Sequence, residues 1–146
     1  MKQVLEFNQV RNKFVLDEVL EEQMLVEEIR EFFDANTLAE RIDAMVDVDY
    51  VYDGTKMKYL YNFTKIPEAI VDIVNDFKVV ATNVVLPDLV AMGLDFEQVM
   101  NKAWNIVCDC NAQKISKLDE NGKVVKQVGL PNATELIAEM LEDARK

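Results

Sequence analysis

The chain has 146 residues, 50% of them hydrophobic, which is enough to enclose one core without disulfides or a structural metal. Its 27 acidic residues outnumber its 16 Lys and Arg, for a formal charge of -11, so duplex DNA and anionic bilayers meet a repulsive field and neither is expected as a partner. There is no histidine, and Cys108 and Cys110 are too close together for an ordinary disulfide and too few to close a zinc site.

Any hydrolytic chemistry must therefore rest on carboxylates, lysines or a metal-bound water. Both cysteines read as reduced, which fits a cytoplasmic protein. Met1 to Val10 carries no basic segment followed by a long apolar run, and no apolar stretch approaches the roughly 20 residues that span a bilayer. The expectation is one domain over residues 1–146.

From Asp17 to Phe33, Val19, Leu20, Met24, Leu25, Ile29, Phe32 and Phe33 recur at helical spacing with no Gly or Pro among them. Asn36 or Thr37 is placed to cap a second helix from Leu38 to about Tyr52, where Asp53-Gly54 is expected to stop it. The break between them is short, so the pair should run antiparallel. Pro67 opens a helix through Phe77, and Pro87 and Gly93 flank another short segment. Lys78 to Val85 is rich in valine and reads as either helix or extended chain.

Phe96 to Cys110 returns to helical spacing. Asn121-Gly122 is a strong turn signal, so a small hairpin or ordered loop is expected near the C-terminus. Thr134 to Lys146 reads as a final amphipathic helix with Asn132 or Thr134 as its cap. The fold class is all-α, an antiparallel helical bundle.

Two acid clusters stand out. Glu27, Glu28 and Glu31 lie within about 100° of one helix face, and Glu40, Asp43 and Asp47 form a narrower stripe on the next helix. Acid runs are ordinarily solvated faces. Here Ile42, Met45, Val46, Val48, Tyr50 and Val51 leave the second stripe few solvent positions, which draws Asp43 and Asp47 toward the core, where carboxylates need cations or donors. Glu21 lies one register before the first cluster and is expected to be dispensable. Trp104, Tyr50, Tyr52, Tyr59 and Tyr61 read as core or interface.

These residues carry a resemblance. Glu27-Glu28-x-x-Glu31-Phe32 followed by Glu40-x-x-Asp43-Ala44-x-x-Asp47-x-x-Tyr50-Val51-x-x-Gly54-Thr55 is similar to the signature of the MazG-like and phosphoribosyl-ATP-pyrophosphatase-like all-α nucleotide pyrophosphohydrolases. The likeness extends to Gly93-Leu-Asp-Phe-Glu-Gln-Val99 and to Asn111-Ala-Gln-Lys114 with the Asn-Gly-Lys123 that follows. Two departures are a short spacer from Phe32 to Ala39 and an insertion at about 56–91, expected to supply extra helix or subunit contacts.

The resemblance implies hydrolysis of nucleoside triphosphates (NTP or dNTP) to the monophosphate and pyrophosphate with Mg²⁺, or Mn²⁺ in its place, in a homodimer or homotetramer. Carried over by position, Glu28, Glu31, Glu40, Asp43 and Asp47 are the metal acids, Glu27 is the catalytic base, and Asn111, Lys114 and Lys117 meet the nucleotide. The alternative is a non-catalytic acidic helical protein that binds or inhibits a partner.

Overall fold

The computed structural model describes residues 3–4, 15–115 and 132–145, and of Lys114 and Ile115 the backbone only. Its helices in chain order are α1 (Glu18–Asp34), α2 (Leu38–Tyr61), α3 (Glu68–Ala91), α4 (Phe96–Ile115) and α5 (Ala133–Arg145). No strand occurs among the described residues, and the chain is an all-α bundle. The Asn121-Gly122 turn lies outside them.

The α1 N-terminus is capped by Asp17, whose side chain accepts from the Leu20 amide at 3.1 Å. Three residues, Ala35 to Thr37, reverse the chain into α2, too few for anything but an antiparallel pair. The α2 helix packs against each of α1, α3, α4 and α5, while α5 rests on α2 and α4. Buried apolar residues face this centre: Leu25 and Phe32 from α1, Ile42, Val46 and Val48 from α2, Ala103 and Val107 from α4, Ile137 and Leu141 from α5. Phe32 meets Phe77 of α3 edge to face at 5.3 Å, and Tyr50 packs on Trp104 at 5.7 Å.

The structure extends two boundaries. The second helix does not stop at Asp53-Gly54 but runs to Tyr61. A mid-helix glycine costs about 1 kcal/mol, and the turns beyond it bury Thr55, Met57, Lys58 and Tyr59, which outweighs that cost. Pro87 likewise does not divide the third helix, which continues to Ala91 around it. Val85 and Leu89, both fully buried, bracket the proline and hold the last turn although one backbone hydrogen bond is missing. The valine-rich Lys78 to Val85 is helical, because Val74, Phe77, Ala81, Val85 and Leu89 present one apolar face at helical spacing. Residues 56–91 thus complete α2 and supply α3.

Both ends of the α2–α3–α4 path close with paired backbone bonds. After α3 the Leu94 amide reaches Leu89 at 2.9 Å and the Gly93 amide reaches Val90 at 3.0 Å, with Gly93 at φ 72, where any side chain would be strained. After α2 the same pattern places Phe63 at φ 54, a left-handed conformation that costs a non-glycine residue about 1–2 kcal/mol. No single described helix is long and apolar enough to cross a membrane.

Candidate metal centre

Antiparallel pairing of α1 and α2 lays the acid stripes of the two helices against each other. Glu28 and Glu31, one turn apart on α1, and Asp47 on α2 bring carboxylate oxygens within 4.8 Å of one another. Glu28 and Asp47 are half-buried and Glu31 is exposed, so the group opens to solvent on one side.

Gathering three carboxylates in one place is electrostatically costly, and Glu28 shows it. Its carboxyl is pushed up to about 7 by burial first, then by the charge and hydrogen-bond contact of Glu31, with smaller contributions from Glu27 and Asp43. One oxygen, Glu28 Oε2, is buried and accepts no hydrogen bond among the described residues. A carboxyl with a buried oxygen that has no donor among the described residues, grouped with two further carboxylates, suits a hard divalent cation such as Mg²⁺ or Mn²⁺, which takes oxygen ligands and keeps several waters. The residues present fit that ion.

Beside the trio lies a cleft of about 280 Å³ lined by Glu31, Asp34, Ala35, Glu40, Asp43, Ala44 and Thr134. Asp43 Oδ2 accepts a 2.8 Å hydrogen bond from Thr134 Oγ1 of α5. Glu40 has a second task. Thr37 Oγ1 accepts from the Glu40 amide at 3.1 Å while Glu40 Oε2 accepts from the Asn36 amide at 3.0 Å, a reciprocal cap that opens α2. Glu40 and Asp43 therefore line the cleft without belonging to the trio.

Glu27 stands apart. It is exposed and lines a separate outer groove of about 510 Å³ with Val19, Glu22, Gln23, Val26 and Arg30. Asn111 is half-buried near the end of α4, Lys114 lies in its last turn with its side chain outside the described set, and Lys117 is outside the described residues. Neither cysteine forms a disulfide, and burial pushes the Cys108 thiol up to about 11, leaving it protonated and inert.

Sequence reasoning missed two groups. Glu21, expected to be dispensable, is 1% exposed; it accepts from Thr55 Oγ1 at 2.6 Å and pairs with Lys58 Nζ. Of the two cap candidates, Asn132 fills the role by accepting from the Glu135 amide at 2.8 Å, and Thr134 takes a different partner. No pattern in the chain announces either contact, because the partners are 34 to 91 residues apart.

The raised Glu28 carboxyl makes stability depend on pH. Its folded value near 7 exceeds the ordinary 4.5, so the folded state holds a proton that the unfolded chain releases. The stabilisation is fully present below 4.5 and is lost as pH rises to about 7. In cation-free buffer, thermal melts should show the midpoint falling across that window, and Glu28→Gln should flatten the slope there. A wild-type slope that survives the substitution intact would assign the linkage to other groups.

No known protein-family model, curated protein or solved structure matches the chain.

Proposed function

We propose that the chain is a divalent-cation-dependent nucleotide pyrophosphohydrolase that cleaves nucleoside triphosphates to the monophosphate and pyrophosphate, as its resemblance to the MazG-like proteins suggests. The observation that carries this reading is the convergence of the Glu28, Glu31 and Asp47 carboxylates within 4.8 Å, with one buried Glu28 oxygen that accepts no hydrogen bond among the described residues. Glu28, Glu31 and Asp47 would hold the ion, with Asp43 adjoining them. When bound, a divalent cation neutralises phosphate charge and lowers the pKa of a coordinated water.

The chain's own residues do the rest. The trio sits on two packed helices with Glu28 and Asp47 half-buried, which limits the reorganisation needed on binding. The proton lost by the attacking water needs an acceptor, and Asp34 and Glu40 line the cleft outside the trio. Glu27, on the outer groove, has a weaker geometric case for that role than the resemblance gives it. Asn111, and the lysines at 114 and 117, would meet base, sugar or phosphate. Assembly as a homodimer or homotetramer is supported by Val79, Val80, Val84 and Val90, which lie exposed on α3 away from its core face.

The test is pyrophosphate release across a panel of NTPs and dNTPs with Mg²⁺ or Mn²⁺, run alongside thermal melts. Turnover should require the ion, and Mg²⁺ at about 100 times its Kd should add about 2.7 kcal/mol of stability. No turnover on any nucleotide, together with an unmoved melting midpoint, would leave the acidic binding protein as the reading to pursue.

A further inference from the structure

Thr134 lies at the second position of α5, inside its first turn. Here Asn132 caps the helix, so the Thr134 hydroxyl is spared for another partner. It donates to Asp43 Oδ2 at 2.8 Å across the cleft that also contains Glu31. Fully buried Ile137, with Leu141 one turn further on, seats α5 against the bundle, so the hydroxyl arrives already placed.

We propose that Thr134 is a positioning residue whose hydroxyl holds the Asp43 carboxylate toward the Glu28, Glu31 and Asp47 group and thereby raises its affinity for a divalent cation. This rests on the cation-dependent reading above. Asp43 is near enough for its charge to act on Glu28, so its orientation matters to the field at the trio. A carboxylate already held by a donor loses less side-chain freedom when it engages an ion, and supporting hydrogen bonds of this kind typically change metal affinity by about 10–100-fold. The device also ties the last helix to a site built on the first two.

Binding of Mn²⁺ alone to the full chain, followed by electron paramagnetic resonance, tests this without turnover. Thr134→Val should weaken Mn²⁺ binding by about tenfold, and Thr134→Ala should do the same should valine disturb the packing. Thr134→Ser, which keeps the hydroxyl, should bind as wild type. Asn132→Ala, which removes the cap of the same helix, should lower the melting temperature and leave Mn²⁺ affinity unchanged. Asp43→Asn should weaken binding, and adding Thr134→Val to it should cause no further loss, since the hydroxyl acts through that carboxylate.

The inference is overturned if Thr134→Val and Thr134→Ala bind Mn²⁺ as wild type does, or if Asn132→Ala weakens binding as much as they do. Wild-type protein that binds no Mn²⁺ would overturn this inference and the cation-dependent function together. Wild-type binding with unaltered Thr134 variants would overturn this inference alone.

Discussion

Lys58→Ala is expected to lower the unfolding free energy by about 3–5 kcal/mol. The substitution leaves the Glu21 carboxylate at 1% exposure with the Thr55 hydroxyl and no neighbouring cation from α2. A buried charge stripped of its partner must stay ionised at high cost or take up a proton, and either outcome weakens the α1–α2 pair. Glu21→Leu combined with Lys58→Met should recover most of the loss, because it removes both desolvated charges and keeps apolar volume. Urea denaturation of the two variants measures this. A loss below about 1 kcal/mol for Lys58→Ala would place the ion pair among ordinary surface contacts.

Glu28→Gln and Glu31→Gln are the complementary pair, with a large effect on turnover and little on folding. Each keeps side-chain size and removes one charge from the trio, so pyrophosphate release should fall about a hundredfold or more. In cation-free buffer stability should hold or rise, since the substitution relieves repulsion that the fold otherwise sustains. The control is Glu22→Gln, exposed on the outer side of α1. Glu21→Gln cannot serve, because Glu21 belongs to the buried network. Equal turnover by Glu28→Gln and Glu22→Gln would sink the assignment of the active acids.

Much of the fold was legible because helical periodicity is written locally. The antiparallel α1–α2 pair followed from two amphipathic runs and a three-residue break, and all three acids of the trio were among the candidates for holding the ion. What failed was decided at a distance. Gly54 and Pro87 are breakers by local chemistry, and only burial of Tyr59 beyond the one and Leu89 beyond the other overrides them. Glu21 was illegible because one acid among Asp17, Glu18 and Glu22 gives no sign of Lys58, 37 residues on. Glu40 is a different case. Thr37-Leu-Ala-Glu40 is a capping-box pattern visible in the sequence, and the same residue also fits the acid stripe, so local pattern alone supports both roles.

The position of α2 has a consequence for how the molecule opens. Asp43 and Asp47 ride on the one described helix that touches α1, α3, α4 and α5 alike, so exposing them through motion of α2 means breaking contacts with every one of these neighbours. Their backbone belongs to the most cooperative part of the chain, where local fluctuation and global unfolding approach the same free energy. The α5 helix packs on both α2 and α4 through buried Ile137 and Leu141, so it is tied to the same centre. Asp43 and the Thr134 hydroxyl bonded to it therefore ride on helices packed directly against each other, and loosening either helix disturbs that bond.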